Sequence, residues 1–226
     1  VQKNANQPKM TDADKQNAVV DAFKTVLSKF AWDAENNRWI SAQAAGESLT
    51  DFARQLQDAS VQQKYDVGVL ARMLTEIAGA DGDIAEEEKA MLYSFLPADM
   101  GTVSDLINRP PLSKMELEEV AEGGVRDTML MLAWAIALTD EQLDDAEQQK
   151  LTAFADGLGI DEERRAVLKS YAQKHIVTGA IQQAYADGAL QADEKEDLLN
   201  LAQGIGLSEE DTERLEIKYR KRMGIV

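Results

Sequence analysis

Apolar residues recur at spacings of three and four along most of the chain, which is the pattern of helices with one buried face. One such stripe runs through residues 11–31, and a second runs from Ile40 to Asp58. A polar turn from Asp33 to Arg38 separates the two stripes. The pattern therefore predicts an N-terminal helical hairpin over residues 11–60, preceded by a polar, aperiodic tail over residues 1–10.

The same periodicity and a series of helix-ending residues predict helices over the rest of the chain. Ser113 and Glu116 have the spacing of a capping box, and the cations from Arg220 to Arg222 suit the negative end of a helix dipole. No alternating β-branched run is present, so the sequence predicts an all-α fold without strands. The first five predicted helices run from Val61 to Gly82, from about Glu86 to Pro97, over residues 102–108, from Ser113 to Gly123, and over residues 125–138. A sixth helix follows and ends at about Gly157. The last four run from Asp161 to about Lys174, from Ile176 to Ala186, over a segment that ends at Gly204–Gly206, and from Ser208 to Arg222.

One short acidic motif occurs three times: Asp, two residues, an aliphatic residue, three residues and Glu. The three copies are Asp81, Ile84, Glu88; Asp140, Leu143, Glu147; and Asp187, Leu190, Glu194. Each copy falls between two predicted helices. The sequence therefore predicts one helix-turn-helix unit used three times, with an acidic turn inside each unit.

Charge and composition narrow the classes of function. The chain has 226 residues, a formal net charge of -17 and no Cys. Such a charge disfavours direct nucleic-acid binding and favours cations and basic partners. The longest apolar run, Met129 to Leu138, is far below the ~20 residues that cross a bilayer, and no signal peptide is visible. We therefore expect a cytoplasmic protein that does not insert into membranes, and Met10 is a plausible natural start.

The acids of the motif have two plausible roles. An Asp before Gly at the end of one helix, and a Glu in the first turn of the next helix, are common residues for ending and capping helices. Ala85 and Gln191, however, occupy the N-cap positions of the first and third copies and lack the usual capping oxygen. Carboxylates from the turn and from the next helix can instead converge on a hard cation such as Ca²⁺, Mg²⁺ or Mn²⁺. Both roles remain open at this point.

An EF-hand loop does not account for the motif. Asp81 to Ile84 and Glu88 match the later positions of such a loop, but its first and third positions fall on Ile77 and Gly79. In the third copy those two positions fall on Gln183 and Tyr185. None of these four residues supplies a carboxylate.

Two segments, Ala71 to Leu96 and Leu130 to Ile160, resemble the two halves of the TerB-like domain, which is named for a tellurite-resistance protein. In that family an apolar helix runs into Asp-Gly, and Glu-Glu-Lys opens the next helix. The first copy has this pattern, whereas Glu141 replaces the Gly and Gln148 the Lys in the second. The resemblance implies a TerB-like helical bundle over residues 61–174. Residues 175–226 then form an additional half-repeat packed on that domain.

The resemblance also implies a function. It implies a divalent-metal site shared by the acidic turns, and protein partners at the membrane in a tellurite, stress or defence response. Residue by residue it transfers Asp81, Glu88, Asp140 and Glu147, to which the hard-cation interpretation adds Asp83 and Asp144. Asp187 and Glu194 form a third candidate site. The alternative is a metal-free acidic scaffold that docks a protein partner.

An enzyme is not expected. The single His175 lies at a predicted helix junction, where a capping or surface role is more common than catalysis. Without Cys or a second His, the usual nucleophile and base pairs are absent. We expect Trp32, Trp39 and Trp134 to be core or hinge aromatics.

Overall fold

A computed structural model describes residues 30–33, 38–41, 50–80, 84, 92, 101–138, 143, 145–185 and 190–225. Within these residues the chain forms nine helices and one two-stranded hairpin, so the helical class is confirmed. The strands are β1 (Phe30–Asp33) and β2 (Arg38–Ser41). The helices are α1 (Asp51–Asp58), α2 (Lys64–Ala78), α3 (Val103–Ile107), α4 (Lys114–Glu118), α5 (Gly124–Ala137), α6 (Asp145–Gly157), α7 (Glu162–Ala184), α8 (Ala192–Gly204) and α9 (Glu209–Met223).

The β1–β2 hairpin contradicts the expectation of a chain without strands. The two strands pair antiparallel, with Trp32 opposite Trp39 and Asp33 opposite Arg38. Helix was predicted to run through residue 31 and to resume at Ile40, and both predictions are wrong there. Aromatic and β-branched residues favour strands, and four residues between strands is an ordinary hairpin spacing. The rest of the first predicted helix, and the predicted tail, lie outside the described residues.

Helix α1 begins later than predicted because Thr50 caps it. The Thr50 hydroxyl oxygen accepts a hydrogen bond from the backbone N–H of Ala53 at 3.1 Å. Such a cap satisfies one of the N–H groups that a helix start leaves unpaired. Phe52 and Ala53, which follow this cap, are buried, so the first turn of α1 already packs in the core.

Helix α5 forms the centre of the core. It is apolar over nearly its whole length, and its side chains from Thr128 to Ala133 are buried. Helices α1, α2, α6 and α7 pack against it. A helix that is apolar on all sides is stable only when neighbours surround it. The prediction of a buried helix over 125–138 is therefore confirmed.

Helix α7 is one continuous helix from Glu162 to Ala184, whereas two helices meeting near His175 were predicted. That prediction is wrong. Neither Gly nor Pro stands between residues 172 and 178, and Ile176 and Val177 are buried, so nothing there ends the helix. The expected boundary between residues 174 and 175 falls in the middle of α7.

Three helices end at the same place relative to the acidic motif. Helices α2, α5 and α7 end at Ala78, Ala137 and Ala184, in each case three residues before the motif Asp. The residues that follow, Gly79, Leu138 and Tyr185, have φ between -100° and -93° and ψ between 5° and 14°. Each of their N–H groups donates to the carbonyl four residues earlier, at 3.1 Å.

The last two acidic turns continue into matching structure. Helices α6 and α8 begin 47 residues apart, at Asp145 and Ala192, and they also end 47 residues apart. Gly159 and Gly206 follow with φ of 69° and 78°, a conformation that favours glycine. Helices α7 and α9 begin at the same offset. At that offset the second half of α7 corresponds to α5, so α7 belongs to two successive helix-turn-helix segments.

Candidate functional site

The first acidic turn follows α2, which ends at Ala78. Ile84, the aliphatic residue of the motif, is half-buried against the core. A Cβ built on Gly79 would lie 3.5 Å from the Ile84 side chain, so Ile84 lies close to the end of α2. Farther on, Leu92 is helical and buried. Asp81, Asp83 and Glu88 lie outside the described residues.

The second acidic turn joins α5 to α6. Leu143 packs against the core, as Ile84 does in the first turn. Glu147 lies in the first turn of α6 and is 7% exposed, which makes it one of few buried acids in the described part of the chain. A carboxylate at this position faces the positive end of the helix dipole. Asp140 and Asp144 are not among the described residues.

The third acidic turn joins α7 to α8. Leu190 packs against the core like its two counterparts. The Glu194 carboxylate accepts a hydrogen bond at 2.8 Å from the backbone N–H of Gln191, the residue at the N-cap. Glu194 therefore performs the helix-capping half of a capping box, although Gln191 is not a usual cap residue. Asp187 falls outside the described residues.

The two described metal candidates, Glu147 and Glu194, lie in different turns. Within the described ranges, no group of three or more His, Cys, Asp or Glu residues is placed to hold a metal ion. The other six candidate acids are not described. The described geometry thus defines the helix ends and aliphatic anchors of the turns, and it assigns one of the two described acids, Glu194, to a cap.

His175 is not on the surface, and it does not sit at a helix junction. Its ring is 9% exposed and stacks on the Phe52 ring, with centroids 4.3 Å apart and planes 12° from parallel. Its Nδ1 lies 3.3 Å from the Thr50 hydroxyl, which also caps α1. The histidine therefore helps to fix the start of α1 against α7, and the expected capping or surface role is corrected to this packing role.

A polar network fixes the other side of α1 to α5 and α7. The Gln55 side-chain amide donates to the Gly124 carbonyl at 3.0 Å and to the Thr128 hydroxyl at 3.1 Å. Arg164 donates to the Gln55 side-chain oxygen at 3.2 Å and forms an ion pair with Asp127 at 2.8 Å. The hydrogen bond and charge of Asp127 raise the pKa of Arg164. Satisfied polar groups in such a position favour one arrangement of the helices.

A groove lies between α1, α7 and α9, with a volume of about 610 Å³. The sequence analysis did not identify it. We call it the basic groove, because its lining contains five cationic residues and two acidic ones. The lining residues are Thr50, Asp51, Arg54, Tyr171, Lys174, Thr178, Asp211, Arg214, Leu215, Lys218, Tyr219 and Arg222.

Part of the positive charge of the basic groove is paired within the chain. Arg54 forms an ion pair with Asp51 at 3.1 Å, and Arg214 forms one with Glu210 at 2.6 Å. Lys174, Lys218 and Arg222 form no ion pair with another residue of the described part of the chain. The basic groove is therefore a positively charged surface on a protein whose net charge is -17.

Comparisons with known proteins leave the family of this chain open. No protein-family model, curated protein or solved structure matches it. In the described part of the chain, no helix has both the length and the apolar character needed to cross a membrane.

Proposed function

We propose that this chain is a non-enzymatic, TerB-like module that binds a divalent cation through its acidic turns and docks partner proteins. The resemblance implies a role in a tellurite, stress or defence response, with partners that include membrane-associated proteins. We place this role in the cytoplasm as part of the proposal. The shared geometry of the three helix ends carries this proposal. In all three copies the preceding helix ends three residues before the motif Asp and the aliphatic residue packs against the core.

The core sets the position of each turn. Ile84, Leu143 and Leu190 pack against it at the same motif position, while the helix before each motif ends three residues ahead of the Asp. Each motif is thus fixed at two points, the end of the preceding helix and the aliphatic residue. Preorganisation of this kind lowers the entropic cost of binding a cation or a partner.

The proposed cation ligands belong to the first two turns. They are Asp81, Asp83 and Glu88, and Asp140, Asp144 and Glu147. Ca²⁺, Mg²⁺ and Mn²⁺ prefer oxygen ligands such as these carboxylates. The third turn is the weakest candidate, because the Glu194 carboxylate already accepts the Gln191 N–H.

A metal-free docking scaffold is the second candidate function. The capping role of Glu194 favours it, since the same role at Glu88 and Glu147 would account for the motif without a ligand. In that case the turns support the helices, and function depends on the protein surface alone.

Thermal melting of metal-stripped protein separates the two candidates. We expect millimolar Ca²⁺, Mg²⁺ or Mn²⁺ to raise the melting temperature, because a ligand that binds only the folded state stabilises it by about 2.7 kcal/mol at a hundredfold excess over Kd. Asp81→Asn/Glu88→Gln should lose this rise. Asp58→Asn/Glu163→Gln is the matched control, since it removes the same two charges from exposed positions on α1 and α7.

Each outcome selects one candidate. A rise that is lost only in the motif variant supports a cation site in the acidic turns. No rise in the wild type, together with a motif variant that melts lower than the control, rejects the cation site and supports the metal-free scaffold.

A further inference from the structure

We propose that the basic groove binds an acidic segment of a partner polypeptide. This inference names a docking surface for the proposed module, and in that respect it rests on the proposed function. It does not depend on cation binding by the acidic turns. The net charge of -17 favours basic partners for the rest of the surface, whereas the basic groove favours an acidic partner.

The cations on α9 form a row along the helix. Arg214, Lys218 and Arg222 stand four residues apart and line the same groove. Residues four apart on a helix lie on one face, separated by about 6 Å along the axis, so the row extends over about 12 Å. Lys174 faces this row from α7, and Arg54 faces it from α1.

A row of this shape fits several carboxylates in succession. A single phosphate or carboxylate is bound best where cations converge on one point. Acidic side chains spaced four apart on a helix repeat every 6 Å or so, and alternate side chains of a strand repeat at a similar distance. Both forms of an acidic peptide therefore match the spacing of Arg214, Lys218 and Arg222.

Helix capping accounts for only part of this charge. Cations in the last turn of a helix interact favourably with its dipole, which explains Arg222 together with Arg220 and Lys221. Lys218 lies before that turn, and Lys174 lies within the long helix α7, ten residues before its end. Neither forms an ion pair with a described residue, so their charges are available to a ligand.

The groove also offers apolar and hydroxyl contacts between the cations. Tyr171, Leu215 and Tyr219 are half-buried and line it, while Thr50 and Thr178 add hydroxyl groups. A polypeptide with apolar side chains between its acids can use such contacts. Aromatic rings beside cations are typical of the residues that contribute most to protein interfaces.

The net charge of the chain limits the size of the anion. A long polyanion such as nucleic acid would lie against the acidic remainder of the surface and be repelled by it. A short acidic segment meets mainly the groove, because charges beyond about 8 Å are screened at physiological salt. Net charge and groove together therefore favour a short acidic segment.

Fluorescence anisotropy with a labelled peptide tests the proposal. The probe is a helix-forming peptide of about twelve residues with Glu at every fourth position, which spans about 18 Å. Its control carries Gln in place of Glu. We expect the Glu peptide to bind the full chain at physiological salt, to bind more weakly as salt rises, and to lose about tenfold in affinity on Lys218→Gln/Arg222→Gln. The Gln peptide should not bind.

A matched variant controls for the change in net charge. Lys114→Gln/Arg109→Gln also removes one Lys and one Arg, from exposed positions that do not line the groove, and should bind like the wild type. Circular dichroism melts of both variants show whether they are folded. Equal weakening by both variants, binding of the Gln peptide, or no binding at all would overturn the proposal.

Two further measurements distinguish other occupants. In the first, inorganic phosphate is added to the labelled peptide complex at constant ionic strength. If phosphate displaces the peptide, the groove is a site for small anions and the peptide proposal is overturned. Sedimentation of the free chain tests a second copy as the occupant. If the chain associates with itself as its concentration rises, and Lys218→Gln/Arg222→Gln abolishes this association, the occupant of the groove is a second copy of the chain. That result would overturn the proposal of a separate partner. A melting rise with divalent cations but no peptide binding would overturn this inference and leave the cation site intact.

Discussion

The imidazole of His175 lies flat on the phenyl ring of Phe52, with 4.3 Å between the ring centroids. Phe52 is 1% exposed, and Thr50 reaches the same imidazole from the N-cap of α1. One stacked pair and one cap therefore set where α1 meets α7. The basic groove opens beside this contact, since Thr50 and Lys174 both line it.

We expect Phe52→Ala to lower the free energy of unfolding by about 3–5 kcal/mol, because it removes a buried ring and leaves a cavity under α1. Urea denaturation monitored by circular dichroism measures this loss. Leu56→Ala is the control on the same helix, and we expect it to cost less because Leu56 is only half-buried. An equal or larger loss for Leu56→Ala would contradict the central role of the stack.

Gly157 lets helix α6 approach α4 closely. A Cβ at this position would lie 2.4 Å from Leu117 Cδ1 and 2.9 Å from Leu117 Cβ. We expect Gly157→Ala to destabilise the protein by about 1–3 kcal/mol through overpacking, despite a gain of up to about 1 kcal/mol in helix propensity. Thermal unfolding of this variant gives the sign directly. A stabilised Gly157→Ala protein would show that Leu117 can move aside.

A double-mutant cycle identifies the clash. Leu117→Ala removes the atoms that a Cβ at residue 157 would meet, so the double variant should lose less stability than the two single variants together. Additive losses would mean that Gly157→Ala acts through the backbone of α6 and not through Leu117.

Glu116 is expected to stabilise the protein in a pH-dependent way. Hydrogen bonds from the Ser113 N–H, the Arg72 guanidinium and the Ser113 hydroxyl lower the pKa of Glu116 from 4.5 to about 2. A carboxyl whose pKa is lower in the folded state stabilises the fold above its unfolded pKa, and this stability is lost as pH falls through the folded value. Glu116→Gln should therefore cost about 1 kcal/mol near neutral pH, as for other lost caps, and almost nothing near pH 2.

Urea titrations across this pH range measure the effect. Glu119→Gln removes the same charge from an exposed neighbour at the end of α4 and controls for the change in net charge. A constant difference between wild type and Glu116→Gln would contradict the role of ionisation.

Asp66 is expected to behave in the opposite way. It is 1% exposed, and burial raises its pKa, with partial compensation from the Ala121 N–H at 3.3 Å and from the charge of Arg126. A folded state that holds its proton more tightly loses stability as pH rises from the unfolded pKa toward the folded one. Relative to wild type, Asp66→Asn should therefore become more stable as pH rises above the unfolded pKa of about 4.

The same urea titrations test Asp66→Asn beside Glu116→Gln. The two differences from wild type should have opposite slopes with pH. Parallel slopes would show that a general change in net charge, and not the surroundings of each carboxyl, controls the pH dependence.

Local patterns in the sequence predicted much of the helical structure. The apolar run that became α5 and the capping box of Ser113 with Glu116 are both present, as are the cations that end α9. Each depends on residues within one or two turns of each other. The β1–β2 hairpin was missed because Phe30 also fits a helical stripe, and the continuity of α7 was missed because His175 was assigned to a junction.

The candidate site was less predictable. The acidic motif predicted the positions of the turns, with helix capping as one of two roles for its acids. The capping hydrogen bond of Glu194 forms although Gln191 lacks the usual capping oxygen, which had counted against this role in the third copy. The basic groove was not foreseen, because Arg54, Lys174 and Lys218 belong to three separate helices. The spacing of Arg214, Lys218 and Arg222 is the one local signal of the groove, and the sequence analysis assigned the cations from Arg220 to Arg222 to the helix dipole.

Helix α7 closes one helix-turn-helix segment with its first half and opens the next with its second half. Its residues from 162 to 184 therefore form one continuous helix with two sets of neighbours, α1 and α5 in one set and α8 and α9 in the other. The last two helix-turn-helix segments share this helix, so they cannot separate from each other as independent units. We expect amide hydrogen exchange along both halves of α7 to report a single free energy of opening.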